Sequence, residues 1–157
     1  MSFSLKSVYE QPNFGLLMLR VGIGSVMVLH GLPKFLGGAE VLTNVGQAMS
    51  VYGLNTMPLL WGSLVASSEV VGGLFILTGF LFRPAALMIA FTMLTAVILK
   101  LPDMPSLSNF KEFAYPLSLF FVFSSLFFIG AGSFAMGSSS KGGAKSEKKP
   151  AADKKKK

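Results

Sequence analysis

Four unbroken apolar runs, at residues 14–35, 58–82, 84–101 and 115–132, constrain this chain more than any other feature, each about 18 to 25 residues long. A helix rising ~1.5 Å per residue needs about 20 residues to cross a ~30 Å hydrocarbon core. Length alone thus points to an all-α fold, a transmembrane four-helix bundle. Composition agrees: 52% of residues are hydrophobic and 13% charged, against ~25% charged in soluble domains. Pro12, Pro58, Pro84 and Pro116 stand at or near the starts of the runs, where a missing N–H costs nothing. Only Arg83 separates the second run from the third, which predicts a tight helical hairpin.

The connection between the first two runs is too long for a bare loop. Val41, Val45, Ala48 and Tyr52 recur at helical spacing with Leu42 and Met49 beside them, while Thr43, Asn44, Gln47 and Ser50 fall on the other side. This predicts an amphipathic helix lying in the membrane interface as a cap on the non-cytoplasmic face, stopped at Gly53. The organisation expected is an N-terminal cytoplasmic segment at 1–13, a transmembrane domain at 14–137 and a lysine-rich tail at 138–157. The tail, "SSSKGGAKSEKKPAADKKKK", has no apolar periodicity and should be disordered. The N-terminal stretch lacks the charged, apolar, small-residue order of a cleaved signal, so the first run is expected to stay as a span.

The formal charge is +7, but eight of the fourteen basic residues lie from Lys141 onward. The excess belongs to the tail, and without basic residues interleaved with stacking aromatics no nucleic-acid partner is expected. Lys6, Arg83 and the tail lysines on one side outweigh Lys34, Lys100 and Lys111 on the other, which places both termini in the cytoplasm. The tail itself reads as a topology and solubility device, as an attractor of anionic lipid, or through its final "KKKK" as a retrieval signal. With no cysteine and a single histidine, disulfides, thiolate metal sites and thiol redox chemistry are excluded, and no intrinsic metal or redox centre is expected.

Inside the spans the ionisable residues are Arg20, His30, Lys34 and Glu69. A charge at mid-membrane costs several kcal/mol, so each must face protein or water. At ~100° per residue, Arg20, Gly24, Met27, Gly31 and Lys34 share one arc with His30 at its flank. Gly62, Ala66, Glu69, Gly73 and Ile76 form a matching stripe on the second span, which lets the two helices approach closely. By depth, Glu69 is expected level with His30 and within reach of Arg20, while Lys34 is expected to extend to the interface. Two readings stand side by side. In one, the charges are a staple that locks two helices in register. In the other, Arg20, His30, Lys34 and Glu69 form a binding site for a polar headgroup or a quinone, with His30 and Glu69 as candidates for proton handling. Asp103, Lys111 and Glu112 read as solvated loop charges, or alternatively as a lid.

A first span with arginine followed by "HGLPKF", a second reading "ASSEVVGGLFILTGFLFRPAAL" and a close of "EFAYPLSLFFVFSSLFFIGAG" resemble the DoxX family of small four-helix membrane proteins. The matching positions are Arg20, His30, Gly31, Lys34, Glu69, Gly73 and Pro116. In place of the family's "GxGxxSxD"-like end the chain has "GAGSFAMG", without its basic and acidic residues. The resemblance implies a bacterial inner-membrane location and a role as subunit or accessory of a membrane-associated oxidoreductase system. A quinone or a small sulfur species would be its small molecule, electrons would come from a partner subunit or soluble oxidoreductase, and self-association into a homo-oligomer is a further option. The alternative class is a non-enzymatic membrane scaffold or receptor whose intramembrane charges only staple the helices.

Overall fold

The structure is a computed structural model that describes residues 12–102 and 107–136, without the side chains of 107–109. The expected N-terminal segment apart from Pro12 and Asn13, the lysine tail and Asp103 lie outside the described residues. Four long helices carry the apolar runs: α1 (Pro12–Leu36), α3 (Pro58–Thr78), α4 (Phe82–Lys100) and α5 (Leu107–Ile129). A short helix α2 (Gly38–Gly46) and a 3₁₀ turn (Gln47–Tyr52) connect α1 to α3. Each of the four is long and apolar enough to cross a membrane.

The helices pack in sequential order, α1 on α3, α3 on α4 and α4 on α5. Small residues set the first of these contacts. A Cβ added to Gly24 would lie 2.9 Å from the Gly73 carbonyl oxygen, and one added to Gly31 would lie 2.8 Å from the Cβ of Glu69. Without side chains at these points the backbones come together, as membrane helices with glycine stripes do. The backbones of α1 and α5 make no comparable approach.

The amphipathic connection forms where periodicity places it, and Gly53 ends it with φ 76°. It is docked onto the bundle as a cap. Its buried residues are Leu42, Gly46 and Met49, and a Cβ on Gly62 would fall 1.7 Å from the Leu42 carbonyl oxygen. The Tyr52 hydroxyl also meets Thr95 Oγ1 of α4 at 3.2 Å.

Two boundaries differ from expectation. The α3–α4 turn is Gly79 to Leu81 and not Arg83 alone, because Gly79 takes the left-handed cap conformation (φ 78°) that ends a helix after Thr78. Helix α5 begins at Leu107 and not near 115, so Pro116 lies inside it. Buried Phe113 anchors these extra turns, and a proline inside a membrane helix is tolerated. After α5 the chain turns at Gly130 (φ 86°) and Gly132 (φ 74°) and tucks under the bundle. There the Met136 N–H donates to the Thr78 carbonyl at 2.9 Å.

The apolar core lies towards the α3–α4 turn and includes Met27, Ile76, Phe82, Ile89, Phe123 and Leu126. The half of the bundle beneath α2 is hollow.

Candidate functional site

Of the four ionisable residues, Arg20 lies nearest the α3–α4 turn and is 1% exposed. Its guanidinium donates to three carbonyls: Ile76 at 3.1 Å, Leu77 at 3.0 Å and Ala131 at 2.8 Å. The first two are among the last carbonyls of α3, which have no partner within their own helix and carry the negative end of its dipole. The third belongs to the segment after α5. Arg20 therefore ties three parts of the chain together, and its cation also sits 5.7 Å from the Phe82 ring centre. The expected reach to Glu69 does not occur, because the antiparallel packing of α1 on α3 sets Arg20 beside the end of α3, about two turns from Glu69.

Glu69 is instead held by Lys34, whose Nζ donates to both carboxylate oxygens at 2.5 Å. The side chains are 2% and 19% exposed respectively. Lys34 thus turns inward where the sequence suggested an extension to the interface. The reason is steric: Gly31, one turn earlier, brings α1 against Glu69 and Val70 and leaves Lys34 directly above the carboxylate. His30 precedes Gly31 by one residue and so points ~100° away from that contact. Its ring lies 5.9 Å from the Tyr115 ring of α5, and no hydrogen bond joins it to Glu69 among the described residues.

These groups line a cavity of about 480 Å³ at the hollow end, a size suited to a small-molecule site. Every long helix contributes: His30 and Lys34 from α1, Glu69 from α3, Thr92 and Thr95 from α4, Tyr115 and Pro116 from α5. Asn44 and Val45 of α2 and Gln47 and Ala48 of the 3₁₀ turn line it from above, so the connection presents both apolar and polar residues to the hollow. Lys100 and Glu112 also line it and pair at 2.5 Å, joining α4 to α5. The Thr92 and Thr95 hydroxyls donate to the Ile89 and Phe91 carbonyls of their own helix, which leaves their oxygens as acceptors, and that of Thr95 is already met by the Tyr52 hydroxyl. Arg20 is not among the lining residues.

Sequence reasoning brought His30, Lys34 and Glu69 to one region and assigned the wrong partner to Glu69. It missed Tyr115, Thr92 and Thr95, and it read Glu112 chiefly as a solvated loop charge. The available signal was Pro116: a proline inside a span next to a tyrosine marks a place where the helix surface is not simply lipid-facing.

No solved structure matches the chain. A protein of Bacillus subtilis (strain 168) named "Putative oxidoreductase CatD" is 29% identical over 107 residues, covering 68% of this chain and 74% of that relative. A family model described as DoxX matches residues 15–100, more than half of the chain and the part that carries Arg20, His30, Lys34 and Glu69. With four apolar helices of spanning length beside that match, the chain is an integral membrane protein and belongs to the DoxX family.

Proposed function

We propose that the cavity binds a small uncharged molecule, a quinone being the best fit, and that the protein serves as a subunit or accessory of a membrane-associated oxidoreductase system. The observation that carries this reading is the cavity's chemistry. Its walls are largely apolar, its two lysines are each paired to a carboxylate, and its remaining polar groups are an imidazole, a phenol, two threonine oxygens and two amides. The imidazole, the phenol and the amides offer donors that suit a carbonyl head. Quinone would supply the redox chemistry when bound; the residues of this chain bind its head, orient it and keep it from water. The relative named an oxidoreductase supports that association, and the electrons are assigned to a partner subunit or soluble enzyme. The location that fits is the bacterial inner membrane with both termini in the cytoplasm, so the cavity lies in the outer half of the bundle.

The test is a titration of purified protein with decylbenzoquinone, read by thermal stability, for the wild type, His30→Gln and Tyr115→Phe. The wild-type midpoint should rise with ligand. Loss of one hydrogen bond, about 1 kcal/mol, should weaken binding by several-fold up to about tenfold in each variant. Arg20 favours a second reading, because its three carbonyl bonds are purely structural. If no quinone shifts the wild type, the scaffold or receptor reading replaces the site.

A further inference from the structure

Resting on the cavity reading above, we infer that the cavity is entered sideways from the membrane between α1 and α5, through a doorway that the His30 and Tyr115 rings close between them, and that its ligand is an uncharged amphiphile arriving through the lipid.

Three observations converge on this seam. The sequential helix pairs close tightly, whereas α1 and α5 lack a comparable backbone approach. His30 and Tyr115 meet across the seam with ring centres 5.9 Å apart, the spacing of a packed ring pair, so these two side chains are what closes it. Both line the cavity and both are exposed, Tyr115 by 45%. They lie about 9 Å and 12 Å from the ends of their helices at Leu36 and Leu107, deep enough to meet acyl chains. A tyrosine near an interface is common by itself. That habit does not account for an imidazole facing it across the seam, nor for the hollow behind the pair. A second hollow of about 230 Å³, lined by Leu19 of α1 and by Phe121, Val122 and Ser125 of α5, lies further along the same seam.

Charge selects the ligand. Lys34 is matched by Glu69 and Lys100 by Glu112, so an anionic or cationic head would enter without a counter-charge and lose its hydration. An uncharged head with acceptor oxygens meets donors at the doorway itself. The Lys100–Glu112 pair spans α4 and α5, which places the other polar opening on a different side of the cavity from the α1–α5 seam.

The absence of cysteine makes the test direct. Proteoliposomes are photolabelled with decylbenzoquinone carrying a diazirine at the end of its chain, and labelled peptides are identified by mass spectrometry. Leu19, Ile23, Val26 and His30 form one stripe of α1, so Val26→Trp fills the seam next to His30. In a second protein, Lys100→Cys and Glu112→Cys are bridged by a bismaleimide to close the polar opening. Labelling of the wild type should fall on α1 and α5. It should be competed by decylbenzoquinone but not by a decyl sulfonate, fall about tenfold in V26W, and persist in the bridged protein. Label on α2 and the α4–α5 loop, full competition by the sulfonate, or loss of labelling only on bridging overturns the doorway while leaving the cavity reading intact. Absence of any specific label in the wild type overturns both. Because peptide location is read in the wild type, a V26W protein that fails to fold does not remove the test.

Discussion

At the scale of single residues, the two buried cations do different work, and their substitutions should separate them. Arg20 spreads its charge over three carbonyls, with no carboxylate beside it among the described residues. Lysine keeps the charge but lacks the planar fork, and it cannot span all three. Arg20→Lys should therefore lose about two charge-assisted hydrogen bonds, roughly 3 kcal/mol, seen as a lower melting midpoint with quinone affinity unchanged in the folded fraction. An unaltered midpoint would remove Arg20 from its structural role. Lys34 has a single partner. Lys34→Met should cost about 3–5 kcal/mol because it strands a carboxylate that is almost wholly buried. Lys34→Met combined with Glu69→Leu should recover most of that loss. A double variant no better than the single would mean that the pair is not a closed unit. The pairing itself was not legible in the sequence. Depth along a helix follows from counting, but the direction of a side chain around the helix depends on which neighbour the glycines admit, and Gly31 turned Lys34 rather than His30 toward Glu69.

At the scale of elements, glycine decides which helices touch. Gly46 of α2 sits where an added Cβ would be 1.7 Å from the Pro58 carbonyl oxygen. Backbone cannot yield there as a flexible side chain would, so Gly46→Ala should force α2 away from α3. The expected cost is at least the ~1–3 kcal/mol of ordinary overpacking, with loss of the Tyr52–Thr95 contact and faster proteolysis at residues 47–57. Gly22 of α1 has nothing within 4 Å of its would-be Cβ, so Gly22→Ala should be neutral or should stabilise by up to about 1 kcal/mol through helix propensity. Equal effects of the two substitutions on the melting midpoint would refute the contact assignment. The four spans, the amphipathic connection and the facing stripes of α1 and α3 were legible because length and periodicity act locally. The start of α5 was not, since Pro116 and the charges at Lys111 and Glu112 mimic a boundary that tertiary packing of Phe113 overrides. Nor did any local pattern announce that residues 130–136 would fold back to meet Asn13, Arg20 and Thr78.

At the scale of the whole molecule, the two ends of the bundle have opposite characters, and the proposed orientation follows from them. One end holds the filled core, Arg20, Arg83 and the folded-back segment, and the sequence continues beyond it into eight tail lysines, cations that anionic lipid attracts. The other end holds the cavity, where Lys34 and Lys100 are neutralised by Glu69 and Glu112. Single cysteines in the cysteine-free chain would check the orientation: Asn55→Cys in the turn beside α2 and Ser133→Cys beside the α3–α4 turn, both at exposed positions. A membrane-impermeant maleimide applied to intact cells should label the first alone and reach the second only after lysis. The reverse pattern would turn the cavity to the cytoplasm. Its partner would then be sought among cytoplasmic enzymes, while the packing that builds the cavity, the Lys34–Glu69 pair and the α1–α5 seam would stand unchanged, because none of them depends on which side of the membrane they face.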